Sequence, residues 1–286
     1  MNRGELLATI GWHSADVPKR AGRELAGEVT ALGTGVSGFA PGQRVMARAH
    51  GAFAEYVAVP AGLVMPVPDR MTWEQAAAVP IAFITAHVSL ITYGRVRPGD
   101  WVLVAGAASG VGVACVQLAK HCGARVIGTS RSAEKLEKLA EVGLHVGIRT
   151  CTVSLVDAVR EATSGAGANV AVNLVGGSVF ADCIGALANQ GRLVITGYVD
   201  GVTTGHVDLR AVHAKRLEIS GVSNTHLTPD ERFEGTRTFV RDVMTGFESG
   251  RLSPLVDRVF SFDDLAAAKD YVEADAHVGK VIIRMS

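Results

Sequence analysis

One short segment constrains the fold more than any other part of this chain. An apolar run at 101–105 is followed by Gly-Ala-Ala-Ser-Gly-Val-Gly at 106–112, and an apolar helical pattern begins at once. A buried strand that ends in small residues and turns directly into a helix is typical of the first βαβ unit of a parallel sheet. A second apolar run, 124–129, follows at the distance that such a unit needs.

The same alternation continues through the rest of the central sequence. Short, continuously apolar strands that alternate with helices predict a parallel sheet covered on both faces. The predicted strands are 101–105, 124–129, 145–149, 170–175, 192–196 and 216–220, and the predicted helices are 111–121, 133–142, 153–163, 178–188 and 209–214.

The first 70 residues differ in composition, with many glycines and short runs of β-branched residues. We predict strands at 28–32, 44–47 and 53–59, and a capping box at Thr72-x-x-Gln75 that opens a long apolar helix. The tail is predicted to hold helices at 229–249 and 264–274 and a strand at 280–284. The fold class is therefore α/β, a Rossmann doubly wound parallel sheet at 83–251 plus a β-rich domain from residues 1–82 and 252–286.

Composition excludes several classes of protein. The 28 Lys and Arg balance the 28 Asp and Glu without any block of like charge, so we expect no nucleic acid partner. Residues 76–93 carry no charged side chain, but Pro80, Thr85 and His87 make them too polar for a membrane span. The opening residues lack the pattern of a secretory signal, and we expect a cytoplasmic protein.

The small-residue loop predicts a dinucleotide site. Backbone N–H groups at the start of a helix can approach a pyrophosphate closely when the residues there are small. The loop reads Ala107-x-Ser109-x-x-Gly112 instead of Gly-x-Gly-x-x-Gly, so its strand-to-helix context carries the prediction, and a tight turn that binds nothing stays an alternative. A Ser109 nucleophile is excluded because that elbow needs glycine two residues to each side. The candidate cofactor contacts are Ala108, Ser109, Gly110, Val111 and Gly112.

Residues after the second strand indicate which dinucleotide binds. An NAD site places a carboxylate there for the ribose 2′-hydroxyl. Here the chain reads Thr-Ser-Arg-Ser at 129–132, and Lys135 follows. Because hydroxyls and cations suit a 2′-phosphate, Ser130, Arg131 and Lys135 favour NADPH over NAD. The alternative is that Arg131 and Lys135 are ordinary surface charges.

Together with short motifs along the whole chain, these residues resemble the medium-chain dehydrogenase/reductase superfamily, in its zinc-free quinone oxidoreductase and enoyl reductase branch. The resemblance implies a GroES-like catalytic domain beside the Rossmann domain, and commonly an oligomer, for which we expect a homodimer. The matching segments are Gly-Arg-Glu-Leu-Ala-Gly-Glu-Val at 22–29, Pro-Gly-Gln-Arg-Val at 41–45, Gly-Ala-Phe-Ala-Glu-Tyr at 51–56, Ala-Ala-Ala-Val-Pro at 76–80, the loop 106–112, Gly-Arg-Leu-Val at 191–194 and Gly-Lys-Val at 279–281.

Against the zinc-dependent members of that superfamily, the chain differs at the metal ligands. The comparable places hold Asn2, Gly-Arg-Glu at 22–24 and Val-Pro at 79–80, so neither thiolate nor imidazole remains for zinc. We therefore expect no metal. Asn173 also stands where relatives often have Asp.

The resemblance also implies site residues. Asn2 matches an Asn near the nicotinamide, Trp12 matches an aromatic residue at the substrate entrance, and Thr85 is expected near the nicotinamide ribose. Arg149 stands where relatives contact the phosphate end, and it is a candidate phosphate partner. Trp12 is equally well explained by burial in a core or interface, and Tyr198 by structural packing. The carboxyl ends of the later strands add Val175, Gly197, Tyr198, Ser223 and Asn224.

Relatives carry roughly forty more residues before the position of Asn2 than this chain does. The resemblance implies that these residues form the first strands of the GroES-like barrel, so we expect a shortened domain whose sheet edges need cover. Either the true start lies upstream or the fold has adapted.

The function that we predict is zinc-independent reduction of a quinone, an enone or an enoyl thioester by hydride transfer from NADPH. The partner is then a small-molecule substrate. The alternative is an NADPH-binding protein of the same fold with little or no catalytic activity.

Overall fold

The computed structural model describes residues 1–3, 21–224 and 226–285. The chain divides into two units, the first formed by Met1–Ile84 with Leu227–Ser286, and the second by Thr85–His226. The strands are β1 (Glu24–Glu28), β2 (Arg44–Arg48), β3 (Val64–Pro66), β4 (Trp101–Ala105), β5 (Arg125–Ser130), β6 (Val146–Arg149), β7 (Ala168–Asn173), β8 (Leu187–Ile195), β9 (Glu218–Gly221), β10 (Val256–Ser261) and β11 (Lys280–Arg284). The α-helices are α1 (Trp73–Ala77), α2 (Pro80–His87), α3 (Gly110–His121), α4 (Ala133–Glu141), α5 (Leu155–Ala162), α6 (Phe180–Ala186), α7 (Leu209–Lys215), α8 (Pro229–Glu248) and α9 (Leu265–Glu273).

A six-stranded parallel sheet organises the second unit. Its order is β6-β5-β4-β7-β8-β9. Strands β5 and β6 are added on one side of β4 and the later strands on the other, so the order of strand addition reverses between the parallel neighbours β4 and β7. Apart from the half-buried Trp101 and Asn169, the residues of β4 and β7 are buried, as expected of strands between two helical layers. The predicted Rossmann sheet is confirmed, and its switch point lies beside the carboxyl end of β4.

The first unit holds two smaller sheets. Strands β1, β2 and β3 form an antiparallel sheet, and β10 pairs in parallel with β11. The aromatic ring of Phe247, from α8, meets that of Phe83 edge-on at 5.0 Å between centroids. Because α8 packs in this unit, the division at 226 differs from the sequence-based boundary at 251.

Several predicted elements differ from the structure. The strand predicted at 53–59 is wrong, because the amides of Ala52 and Phe53 bond to the carbonyls of Gly22 and Ala21 instead of forming a sheet ladder. The strand predicted at 28–32 lies four residues earlier, as β1. The strand predicted at 216–220 begins two residues later because Arg216 caps α7 with a left-handed backbone, φ 53°. Strands β3 and β10 had no counterpart in the prediction.

The long helix predicted after Thr72 is broken into pieces. Its capping box forms as predicted, with Thr72 and Gln75 bonding to each other's backbone amides. The helix stops at Ala77 and resumes at Pro80, because a residue before proline is pushed out of the helical region. After His87, a π-helical turn over Val88–Tyr93 continues the chain. Among the helices of the described ranges, each is too short or too polar to cross a bilayer.

Candidate functional site

The loop between β4 and α3 is held together by the side chain of Ser109. Its hydroxyl donates to the Gly106 carbonyl at 2.9 Å and accepts from the Gly112 amide at 3.1 Å, which makes it the N-cap of α3. The Gly106 amide in turn bonds to Thr129 Oγ1, at 3.1 Å, so the loop is fastened to the end of β5. Ser109 therefore has a capping role.

Gly112 allows α3 to approach β4 closely. A Cβ atom placed on Gly112 would lie 2.4 Å from the Gly106 oxygen and 2.6 Å from the Ala107 oxygen, which is too close for any side chain. Helix α3 therefore begins directly over the end of the strand. This close packing is the role of the last glycine in a dinucleotide-binding loop.

The helix start presents the donors that an anion needs. The first amides of any α-helix have no intrahelical acceptor and carry the positive end of the helix dipole. Here those positions are Gly110 and Val111, and both are half-buried, as is the preceding Ala108. The predicted loop residues thus lie together at a helix N-terminus that can accept a pyrophosphate.

A second cluster of predicted residues lies at the ends of β5 and β6. Ser130 and Arg149 are register partners on these parallel strands. Arg149 Nε donates to the Arg131 carbonyl at 3.2 Å, and Ser132 caps α4 by accepting from the Lys135 amide at 3.3 Å. The structure therefore brings Ser130, Arg131, Lys135 and Arg149 to one corner of the sheet.

Two polar side chains, Asn173 and Asp200, form hydrogen bonds to the backbone of the turns after β7 and β8. Asn173 accepts from the Val175 and Gly176 amides at 2.9 and 3.0 Å and donates to the Gly176 carbonyl at 2.9 Å. An aspartate could accept in the same way but could not donate, so Asn suits this turn.

Asp200, which no sequence motif indicates, supports the loop that follows β8. Its carboxylate accepts from the Ser178 amide at 2.9 Å and from the Val202 amide at 2.8 Å. Partial burial acts to raise the pKa of Asp200, but these hydrogen bonds outweigh it, so the pKa lies below its ordinary value. Its role cannot be seen in the local sequence, because its hydrogen-bond partner Ser178 is 22 positions away.

Thr85 is tied to the same end of the sheet. Its carbonyl accepts a 2.8 Å hydrogen bond from Ser89 Oγ, which lies 3.1 Å from Thr196 Oγ1. Since Ser89 uses its proton on Thr85, the Thr196 hydroxyl must donate to Ser89. Thr85 is therefore connected, through one hydroxyl, to the residue that precedes Gly197 and Tyr198.

The remaining predicted residues of this unit follow the last two strands. Tyr198 is partly exposed. After β9, the Val222 amide donates to the Ile195 carbonyl at 2.8 Å, so the chain stays beside the carboxyl end of β8. Ser223 and Asn224 come next and are exposed. Val175, Gly197, Tyr198, Ser223 and Asn224 thus all follow carboxyl ends of parallel strands.

Asn2 belongs to the first unit, where it joins a buried ionic network. Asn2 Nδ2 donates to the Glu24 carboxylate at 2.9 Å, and Asn2 Oδ1 accepts from Lys280 Nζ at 2.6 Å. Lys280 also forms a direct ion pair with Glu24, and both side chains are only 5% exposed. Burial acts to raise the pKa of Glu24, but Lys280 and the hydrogen bonds outweigh it and lower the pKa. Trp12 lies outside the described residues.

The donor set in this network does not suit zinc. The Glu24 carboxylate is taken up by Lys280, by Asn2 and by the Ile81 amide at 2.7 Å. Arg23 stands at the place of a zinc-binding histidine in the resembled family, and its positively charged side chain cannot bind a metal cation. Over the ranges that the structure describes, no group of three or more His, Cys, Asp or Glu side chains could hold a metal ion.

Comparisons with known proteins match family models to two parts of the chain. A family described as "Zinc-binding dehydrogenase" matches residues 110–240, and one described as "Alcohol dehydrogenase GroES-like domain" matches residues 1–69. The chain is 31% identical to the quinone oxidoreductase-like protein 2 homolog of Nematostella vectensis, over 99% of this chain and 78% of that protein.

Two further similarities concern a larger enzyme and a solved structure. The chain is 34% identical to a phenolphthiocerol/phthiocerol polyketide synthase of Mycobacterium tuberculosis over 92% of its own length, but it spans only 12% of that protein. The structure of mycobacterial Rv1454c complexed with NADPH superposes with a TM-score of 0.89 at 30% identity, covering 99% of this chain and 88% of that one.

Proposed function

Since this chain belongs to the medium-chain dehydrogenase/reductase superfamily, in its quinone oxidoreductase and enoyl reductase branch, we propose that it reduces a conjugated carbonyl compound with NADPH. The acceptor is a quinone, an enone or an enoyl thioester. The observation that carries the proposal is the loop over α3, where Ser109 caps the helix and Gly112 leaves no room for a side chain, together with the cationic corner at Arg131 and Arg149.

The residues present fit this cofactor. The amides of Gly110 and Val111 would hold the pyrophosphate, because a helix start favours negative charge. Ser130, Arg131, Lys135 and Arg149 would hold the 2′-phosphate through hydroxyl and cationic donors. When bound, NADPH supplies the hydride that reduces the acceptor.

The chain itself would supply position and the exclusion of water. Asn173 and Asp200 hold the turns after β7 and β8, so Val175, Gly197 and Tyr198 would form a firm wall at the nicotinamide end. Thr85, fixed through Ser89, would contact the nicotinamide ribose, and Ser223 and Asn224 would complete that side. Holding two reactants in one geometry is a large part of rate enhancement in such reactions.

Zinc independence is part of the proposal. Its support is the chemistry of the donors, because Glu24 is bound to Lys280 and the histidine position holds Arg23. We also propose that Asn2 lies near the nicotinamide, where the Glu24 and Lys280 bonds would fix its amide orientation.

A second copy of the chain is the proposed protein partner. Strand β9 ends the six-stranded sheet and pairs only with β8 among the described strands, so its other edge is available for pairing. Light scattering after size exclusion tests this, and a monomeric mass would contradict it.

Stopped-flow oxidation of NADPH across quinones, enones and enoyl thioesters, with NADH in parallel, tests the function. We expect turnover of at least one acceptor class and a preference for NADPH. NADPH binding, seen as fluorescence enhancement, without turnover of any acceptor would favour the non-catalytic alternative. Binding of neither nucleotide would overturn both.

A further inference from the structure

Two hydroxyl groups of the second unit form a chain of hydrogen bonds with a fixed direction. Ser89 Oγ donates to the Thr85 carbonyl at 2.8 Å and lies 3.1 Å from Thr196 Oγ1. Because a carbonyl oxygen only accepts, the Ser89 proton is committed to Thr85, and the Thr196 hydroxyl donates to Ser89. The Thr85 carbonyl at the end of the chain therefore determines where both protons lie.

The backbone holds both hydroxyl groups in place. Ser89 is fully buried in the π-helical turn, and its carbonyl accepts from the Gly94 amide at 2.9 Å. Turns of this kind are rare and are frequent at functional sites. Thr196 directly follows β8, and its amide donates to the Asn173 carbonyl at 2.8 Å. Each hydroxyl is thus attached to a part of the backbone that has its own hydrogen bond.

The Thr196 hydroxyl is left as an acceptor. With its proton committed to Ser89, Thr196 Oγ1 can only accept further hydrogen bonds. Within the part of the chain that the structure describes, Ser89 is the hydrogen-bond partner of this oxygen. Thr196 is half-buried, so protein does not enclose it completely. The carboxyl end of β8 therefore presents an oriented acceptor beside Gly197 and Tyr198.

Several backbone acceptors at the same strand ends are already in use. The carbonyls of Asn173, Val175 and Ile195 each accept a hydrogen bond from a backbone amide. A bound molecule that brings an N–H donor to this edge of the sheet therefore meets the Thr196 hydroxyl as an acceptor whose lone pairs the described residues do not use.

We infer that Thr196 Oγ1 accepts a hydrogen bond from the amide nitrogen of the nicotinamide carboxamide, and that Ser89 is a positioning residue that holds the Thr196 hydroxyl as an acceptor. The inference rests on the proposed function, which places Gly197 and Tyr198 at the nicotinamide end. A carboxamide nitrogen only donates and its oxygen only accepts, so this hydroxyl selects one of the two carboxamide orientations. The nicotinamide ring is then held in the single geometry that hydride transfer needs.

A cofactor pair that differs at the carboxamide tests the inference. In the reduced 3-acetylpyridine analogue of NADPH, a methyl group replaces the amide nitrogen, so the analogue cannot donate there, while its ribose and phosphate groups are unchanged. Calorimetric titration measures the affinity of each compound for the wild type and for Thr196→Val, Thr196→Ser and Ser89→Ala. Thr245→Val, at an exposed position of α8, is the control. If thermal melting shows that Thr196→Val is unfolded, Thr196→Ala takes its place.

We expect Thr196→Val to weaken NADPH binding about tenfold and to change binding of the analogue little. Thr196→Ser and Thr245→Val should keep the wild-type ratio of the two affinities. Ser89→Ala should lower that ratio by a smaller factor, because the Thr196 hydroxyl can then rotate. Equal weakening of both compounds in Thr196→Val, or weakening of neither, would overturn the contact. An unchanged ratio in Ser89→Ala would overturn the positioning role of Ser89.

The binding measurement also separates this inference from the proposed function. If NADPH binds but no acceptor is reduced, the proposed reduction fails, and the affinity ratios still test Thr196 and Ser89. If acceptors are reduced but the ratio is the same in Thr196→Val and in the wild type, the inference fails and the proposed function stands. Binding of neither compound by the wild type would overturn both.

Discussion

The amide oxygen of Asn2 accepts a 2.6 Å hydrogen bond from the Lys280 ammonium, across almost the full length of the sequence. Because Lys280 only donates and the Glu24 carboxylate only accepts, the amide has one possible orientation. Asn2 thus has its two polar ends assigned by a buried ion pair, which links the predicted nicotinamide contact to the stability of the first unit.

The ion pair should be strongly coupled. Lys280→Met leaves the buried Glu24 without its cation, and we expect it to lower the free energy of unfolding by about 3–5 kcal/mol. Adding Glu24→Gln should cost much less than the sum of the two single changes, because the uncompensated charge is gone. Urea unfolding of the four proteins measures this coupling, and additive losses would contradict it.

Acid should weaken the same network. The pKa of Glu24 is lowered on folding, so the folded protein binds fewer protons than the unfolded chain. The stabilisation is therefore complete above the ordinary glutamate pKa of about 4.3, and it is lost as pH falls through the lower folded value. The Tm difference between wild type and Glu24→Gln should be constant from neutral pH to about 5.5 and shrink below it. A difference that grows in acid would contradict this sign.

Gly112→Ala should damage both stability and cofactor binding. The added methyl meets the Gly106 oxygen at 2.4 Å, so α3 must move away from β4, and we expect a loss of about 1–3 kcal/mol. NADPH affinity, measured by fluorescence titration, should fall as well. Gly235→Ala in α8 is the matched control, since a Cβ there meets nothing within 4 Å and should stabilise the helix by up to about 1 kcal/mol. Equal effects of the two variants would count against the close-packing argument.

Arg149→Gln should discriminate between the two nicotinamide cofactors. Losing a charge-assisted contact to the 2′-phosphate should weaken NADPH binding about tenfold or more, while NADH binding changes little. Lys138→Gln, an exposed position of α4, serves as control. If Arg149→Gln weakens both cofactors by the same factor, the phosphate assignment is wrong and Arg149 has only a structural role.

Local signals explain which parts of the fold were predictable. Strand β4 is predicted to the residue because its apolar run is continuous, and the capping box of Thr72 and Gln75 forms as expected because it joins residues three positions apart. Strand β10 is missed because its sequence, Val-Asp-Arg-Val-Phe-Ser, mixes charged and apolar residues and gives no local sign of its ladder with β11. The same limit explains why 53–59 was misassigned, since its start bonds to residues around Gly22.

The residues of the candidate site also differ in how far the sequence predicts them. Ser109, Ser130 and Arg131 can be proposed from the sequence because strand, loop and helix follow one another directly. Asp200 and the pairing of Asn2 with Lys280 cannot, because a carboxylate or an amide carries no local sign of a distant partner.

The packing between the small-residue loop and β5 also limits how such sequences can diverge. A Cβ atom on Gly128 would lie 2.8 Å from the Cβ of Ala107 and 2.6 Å from Leu144. Position 107 can hold alanine because position 128 has no side chain, so an enlargement at one site needs a reduction at the other. A glycine at the position of Ala107 would remove the 2.8 Å contact, and a larger residue at the position of Gly128 would then require a shift of the Leu144 side chain alone, so positions 107 and 128 should covary across the family.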